Sequence, residues 1–577
     1  MWIRGCVVLA AVGLLSCGRS DPARKPRPTV LDDDVEKALE QMEQELRRDV
    51  YRVTDGVYQA VGFGIANSIM VEGEDCVFIV DVMGSMEAAS EVRDEFAKIT
   101  DKPIEALIYT HNHADHVMGG LAFVPDGQVD VYAHETTNYY INRVANVLRP
   151  ILRARSARMF GSELGDEGTV HNVGLGPFVE TLDPNATLGL IRPNRTFANR
   201  LETEICGVEV ELVHAPGETN DQIFVWLPER DALLPGDNIY KAFPNLYSIR
   251  GTLYRDVLAW ARSIDRMRAL RPLHLVPSHT RALSGKDEVY ETLTAYRDAI
   301  QFVHDQTIQG MNRGLTPDEL VQVVKLPPHL AQHPYLQERY GKVEWSVRGI
   351  FNGNLGWFDG DAATLEPVSP EERAAEIASL AGGLDGLASA VHRALAEEKY
   401  AWAAELATHW MRLEPRSHEA RKAKAAALRA LGSRQLNANA RNYYLTQALE
   451  IEGVLTIEDR TKPENAMSFV STVPIGQFVA AMPAKLIYEK SADKQLLVGF
   501  RFPDVGEGYG IEIRRGVAEF KEEFPESADL TITADSLAWR ELVLGLRSPV
   551  ELFASGEVKF TGSALDLIGF LRLFRAP

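Results

Sequence analysis

From Val53 to about Leu283 the chain alternates short apolar runs with turn residues. The runs "GVYQAVG", "NSIMVEG", "CVFIVDV", "ALIYT", "VDVYAH", "VEVELVHAPG", "QIFVWLP" and "LHLVPSH" read as strands, rich in Val, Ile and Leu and bounded by Gly, Asn, Asp and Pro. Between them "SMEAASEVRDEFAKI" and "RDVLAWARSIDRMRAL" change to helical spacing. The alternation predicts two sheets flanked by helices, since each sheet must bury its apolar faces against another layer.

Beyond about Asp287 the strand signals stop and apolar residues recur at helical spacing as far as Leu436. "TPDELVQVVKL" opens with a Thr followed three residues later by Glu319, a capping-box arrangement. "EKYAWAAELATHWMRLEP" and "SHEARKAKAAALRALG" predict two antiparallel helices resembling a tetratricopeptide-type hairpin, a single pair and not an array. After Ala440 strands return in "KQLLVGFRF", "GYGIEIRRGVAEF" and "DLTITAD", with "SLAWRELVLGL" and "ALDLIGFLRLF" as apolar helices. The pattern divides the chain into a strand-rich unit at 51–286, a helical unit at 287–436 and a mixed α+β unit at 437–577. A length of 577 residues agrees, being too great for one core.

The N-terminus carries a different signal. "MWIRGCVVLAAVGLLSCGRSDP" has one early arginine and an apolar stretch too short to span a bilayer as an ordinary helix, so residues 1–17 are expected to be an export signal. The ending "LLSC" resembles a bacterial lipobox, which makes Cys17 the expected lipid anchor in the envelope; a plain secretory signal and a retained anchor are the alternatives. Residues 18–50, opening with "GRSDPARKPRPTVLDDD", are expected to be a tether. Cys76 and Cys206 remain; both fall in apolar, strand-like runs and are expected as small buried core residues without a disulfide framework. A net charge of −20 excludes a general nucleic-acid surface, so any anion site must be local.

The densest chemistry lies in "ALIYTHNHADHVMGG", where His111, His113, Asp115 and His116 occupy six positions just after a strand. Two histidines spaced by two share one side of an extended segment, while Asp115 and His116 turn the other way, a geometry suited to two neighbouring metals. The stretch "THNHADHVMGG" resembles the metallo-β-lactamase superfamily signature, and later strand ends fit it in order: Glu218 in "LVHAPGETNDQ", Asp237 in "ALLPGDN" and His279 in "LVPSHT". Asp221 is the rival to Glu218.

Glutamate at the third position, the interval from Glu218 to Asp237 and "NLYSIRG" ending on Arg250 are similar to the alkylsulfatases; so are "VHDQT", "GLTPDEL", "LPPHL" and "GNLGWFDGD" in the helical region. The resemblance implies an αββα metallo-β-lactamase sandwich, then an all-α dimerisation domain and a small sterol-carrier-like α+β domain. It implies two zinc ions: one on His111, His113 and Glu218, the other on Asp115, His116 and His279, with Asp237 touching both. Asp115, Asp237 and Arg250 are the implied catalytic residues, acting on an alkyl sulfate through a metal-bound hydroxide or water, with Asn245 and Tyr247 joining Arg250 in holding the sulfate. A homodimer is implied, its partner walling the site through the "NLGWFDGD" stretch unless that stretch is ordinary core. Arg255 is expected either to assist or to pack against its helix.

The sequence departs from the family at Asp237, where better-known members carry Glu, at "TNDQ" after Glu218, and at Trp345, where they carry a histidine. The proton donor is therefore left open. His134, His214 and His274 are expected in structural roles, and the helical-region histidines as surface or capping residues. Two other functions stay in view: a same-fold hydrolase of a phosphoester, lactone or β-lactam, and a non-catalytic lipid-binding envelope protein.

Overall fold

The computed structural model describes residues 31–146, 148–165, 172–458 and 462–574. The expected signal and lipidated Cys17 lie outside the described residues.

Two sheets form the first unit, expected from the resemblance to be the catalytic unit. The first has seven strands in sequential order: β1 (Asp49–Thr54), β2 (Val57–Val61), β3 (Ser68–Glu72), β4 (Val77–Val80), β5 (Ile104–Ile108), β6 (Asp130–His134) and β7 (Arg195–Phe197). The second has six: β8 (Arg200–Ile205), β9 (Val208–His214), β10 (Ile223–Leu227), β11 (Ala232–Leu234), β12 (His274–Leu275) and β13 (Leu283–Ser284). Strands β4 and β10 are buried along their whole length, which explains their unbroken apolar runs. Phe78, Val80 and Ile108 meet Val210, Leu212 and Val225 between the sheets. The helix Met86–Phe96 covers the outer face of the first sheet through Ala89 and Val92. The helix Val257–Ala269 covers the second through Trp260 and Ile264. This is the expected αββα order.

The helical unit grows from that outer layer. Val289, Leu293 and Ile300 of the helix Lys286–Asn312 share a core with Trp260, Val347 and Ile350. The capping box at Thr316 and Glu319 forms as read from the sequence. The expected hairpin is the packed pair Tyr400–Leu413 and His418–Ser433. Three expectations need correction.

The division at 436/437 falls just before the helix Ala438–Glu452, which packs on His418–Ser433 and on Arg149–Phe160 and so belongs to the helical unit. The tether expected at 18–50 is partly folded: Asp33–Glu45 is a helix burying Val35, Leu39 and Met42, an i, i+4, i+7 apolar stripe inside a charged segment. Cys76 and Cys206 are joined in a disulfide across 130 residues. Neither sits inside a strand; Cys76 precedes β4, and Cys206 occupies the turn between β8 and β9 with φ 56°.

Strands β4 and β9 both start at this disulfide and run towards the Asp81 and Glu218 segments, so the bond staples the two sheets at the end away from those residues. Closing so long a loop restricts the unfolded chain and contributes about 2–5 kcal/mol. Reduction, or Cys76→Ser, is expected to lower the unfolding temperature of the catalytic unit by several degrees in calorimetry. An unchanged transition under reductant would show that the bond adds no stability.

The last unit is a five-stranded sheet: β14 (Gln495–Phe502), β15 (Glu507–Arg514), β16 (Val517–Lys521), β17 (Leu530–Ala534) and β18 (Val558–Phe560). Helices Ser536–Leu544 and Ala564–Leu571 close its core through Trp539, Leu567 and Phe570. Phe469, Val470 and Val473, which lead into it, pack on the catalytic unit beside Val117 and Ile141.

Candidate metal and anion site

Strand β5 ends at Ile108, and its continuation bends through His111 and reaches His113 in extended backbone before the short helix Ala114–Val117 begins. That helical turn sends Asp115 and His116 the other way. At the end of β11, Gly236 adopts φ +58°, and a Cβ there would collide with Gln222 Nε2; the turn places Asp237 directly under the histidines. His279 follows β12.

Two donor groups result. His111, His113 and Asp237 converge in one, and Asp115, His116 and His279 in the other. Asp237 links them, with Oδ2 3.6 Å from His111 Nε2 and 3.1 Å from His279 Nε2, and Oδ1 3.4 Å from His116 Nε2. Asp115 Oδ2 lies 3.2 Å from His116 Nε2. Among the described residues, His116 Nε2 and Asp237 Oδ1 are buried without a hydrogen-bond partner. Buried polar atoms are normally satisfied, and these two aim at a common centre among imidazole and carboxylate donors, so the residues present fit metal ions.

The electrostatics are those of a densely charged, largely buried site. Burial lowers His111 to about 4, helped by His116, and holds His113 well below its usual value. Burial alone would lower His116, but Asp237, Asp115 and Asp81 outweigh it and hold it well above the ordinary range. Burial would raise Asp115, yet His116 and His279 bring it to about 2.

Glu218 stands apart from both donor groups. Its Oε1 pairs with Arg255 Nη1 at 2.7 Å, and Tyr240 donates to Oε2 at 3.4 Å. Burial pushes its carboxyl up to about 7, with Arg255 opposing and Asp237 adding. Arg255, 2% exposed, also donates to the Asn245 carbonyl, so it joins the glutamate to the loop that carries Arg250. Asp221, the rival carboxylate, accepts instead from Asn112 at 2.6 Å and belongs to neither donor group.

Arg250 reaches the centre: its Nη2 is 3.1 Å from His113 Nε2. Arg155 fixes the preceding carbonyl, its Nε and Nη2 donating to Ile249 O at 3.0 and 2.5 Å. Asn245 is buried, with its amide N–H on Tyr240 Oη at 2.8 Å; Tyr247 is half-buried against Gly349. Trp345 lies at 6.0 Å from Lys342 Nζ, in a cation–π contact.

Sequence reading missed Asp81, at the end of β4. It accepts from Thr110 N and Thr110 Oγ1 at 2.9 Å and from Ser278 Oγ at 2.6 Å, and its Oδ2 lies 2.8 Å from His116 Nδ1. An acid ending a strand just before the first ligand-bearing strand was the available signal. His134, His214 and His274 bond to Ala198 O, Asn220 O and Ser284 Oγ, the structural roles expected.

Comparison with known proteins agrees along the chain. The Metallo-beta-lactamase superfamily matches residues 61–279, Alkyl sulfatase dimerisation 316–453 and Alkyl sulfatase C-terminal 463–577. A linear primary-alkylsulfatase of Pseudomonas sp. (strain ATCC 19151) is 38% identical over 88% of this chain and 98% of its own length. An (R)-specific secondary-alkylsulfatase of Pseudomonas sp. is 29% identical over 91% of this chain and 80% of its own. The solved structure of the stereoselective inverting sec-alkylsulfatase Pisa1 from Pseudomonas sp. superposes with a TM-score of 0.87 at 26% identity, covering 95% of this chain and 88% of that one. Matched in all three units and along nearly the full length of a curated relative, the chain belongs to the alkylsulfatase family of the metallo-β-lactamase superfamily.

Proposed function

We propose that the protein is a dizinc hydrolase of alkyl sulfate esters, consuming one water to yield an alcohol and inorganic sulfate. The observation that carries this reading is Arg250 Nη2 at 3.1 Å from His113, a guanidinium held at the rim of a two-group donor centre. His111, His113 and Glu218 would hold one zinc, Asp115, His116 and His279 the other, and Asp237 both. When bound, the ions supply Lewis acidity and lower the pKa of water towards neutrality. Glu218 would serve as a ligand steadied by Arg255, as ligating carboxylates are commonly steadied by hydrogen bonds.

Arg250 would present two parallel N–H donors to the sulfate oxygens, a match that a lysine cannot make. Arg155 and Arg255 hold the two ends of its loop, so the fork is oriented before substrate arrives. Asn245 and Tyr247 would add donors from the same loop. A linear primary-alkylsulfatase matched over nearly its whole length supports a dodecyl sulfate-like substrate.

The assembly would be a homodimer through the segment matched as a dimerisation domain. Leu355 and Trp357, 59% and 72% exposed, are not ordinary core and suit a surface covered by a partner. The C-terminal unit would be sterol-carrier-like and shelter the alkyl tail. Export, with a lipid on Cys17, is proposed from the N-terminal sequence; the Cys76–Cys206 bond supports it, since disulfides persist in oxidising compartments.

Purified protein given dodecyl sulfate is expected to release sulfate and dodecanol in equal amounts, and to act poorly on phosphoesters, lactones and β-lactams. No sulfate release across several chain lengths would overturn the substrate assignment.

A further inference from the structure

Glu180 lies in the short helical turn Glu180–Leu182, far in sequence from every site residue, and is 3% exposed. Among the described residues it makes no ion pair, and burial pushes its carboxyl up to about 7. An acid buried without a cation is costly, so its contacts need a reason. Oε2 accepts the amide N–H of Ile65 at 3.2 Å, and Oε1 accepts that of Gly84 at 3.4 Å.

Both amides belong to segments that hold the second donor group. The Ile65 carbonyl lies 2.6 Å from His279 Nδ1, so one residue is gripped at its N–H by Glu180 and at its C=O by a candidate ligand. Gly84 ends the segment that begins at Asp81, the partner of His116, and within it Val82 donates to the His116 carbonyl at 2.9 Å. Gly64 admits the carboxylate, because a Cβ there would collide with Oε1. A Cβ on Gly84 would approach both the Glu180 carboxyl carbon and Asp115 Cα at 3.3 Å.

We infer that Glu180 is a positioning residue chiefly for one metal: by clamping Ile65 and Gly84 it fixes His279 and His116 around the Asp115 site, and it reaches the His111–His113 site only through the shared Asp237. The inference rests on the dimetal reading above. Residues that orient ligands typically change metal affinity by about 10- to 100-fold. Gln at this position keeps one acceptor but turns an NH₂ towards the other amide donor, at almost unchanged volume.

The test is metal affinity, read without turnover. Apo protein is titrated with Co²⁺, following its visible absorption, and with Zn²⁺ in competition with a chelating dye. Glu180→Gln should show one site weakened about 10-fold or more and the other within about 2-fold of wild type, and Gly64→Ala should do the same. Wild-type affinity at both sites, or equal loss at both, would overturn the inference. If Glu180→Ala fails to fold, Glu180→Gln decides. A wild-type chain that binds no metal would instead sink the dimetal reading, so the two failures are distinct.

Discussion

Replacing Arg250 with alanine is expected to lower kcat/KM for dodecyl sulfate about 10²- to 10³-fold while leaving bound metal unchanged. Its guanidinium faces His113 at 3.1 Å, and its loop is held at one end by Arg155 and at the other by Arg255. A preoriented donor aimed at developing negative charge in a dry site typically accounts for about 3–4 kcal/mol of barrier lowering. Arg250→Lys keeps the charge and loses the planar fork, so it should recover only a small part of the loss. Arg250 supplies no ligand, so metal content separates a failed clamp from a failed centre. A variant retaining wild-type kcat/KM would remove Arg250 from the sulfate site.

Replacing Asp81 with alanine should have the second large effect, on the metal centre and on stability together. The side chain takes Thr110 N and Oγ1, Ser278 Oγ and His116 Nδ1 into one buried cluster. Removing it leaves these groups facing a small cavity, and each buried group left unpaired costs about 1–3 kcal/mol, not fully additively. His116 also loses the acceptor that fixes its tautomer and aims Nε2 at the centre, so affinity at the Asp115–His116–His279 site should fall about 10- to 100-fold. Calorimetry and chelator competition read the two effects separately. Asp81→Asn, which can accept at only one atom, should be intermediate in both; a stable Asp81→Ala variant with intact affinity would show that His116 is oriented by other contacts.

The residues that were legible in the sequence share a property: their signal is local. Four donors stand in six positions after β5, and Asp237 and His279 each follow a short strand, so topology alone brings them to one edge. Arg250 is singled out by the "NLYSIRG" resemblance, and the structure places its Nη2 3.1 Å from His113 Nε2. Strand pattern and helical spacing likewise anticipated the two sheets and the helical layer.

What escaped was carried by single residues whose partners are distant in sequence. Asp81 lies 197 residues from Ser278, and Glu180 lies 115 from Ile65; neither spacing leaves a periodic trace. The two cysteines read as core because apolar residues surround them, whereas Cys76 lies just before β4 and Cys206 in the turn before β9, at the same end of the sandwich. For Arg255 the sequence leaves assistance at the site and packing against its helix equally open, and only the pairing with Glu218, 37 residues earlier, distinguishes them. The helix Asp33–Glu45 was readable from Val35, Leu39 and Met42, and was hidden by the Pro-rich, charged stretch before it.

Metal-dependent cleavage of a sulfate ester is the reaction proposed for the centre where His111, His113 and Asp237 meet Asp115, His116 and His279, with Glu218 as the proposed seventh ligand. Metal-depleted protein titrated with Zn²⁺, with sulfate release from dodecyl sulfate and bound zinc followed together, tests it most directly. No release is expected without metal, and activity should return and saturate as two ions bind per chain. Release at the full rate by the metal-free protein, or none by the fully loaded one, would contradict it.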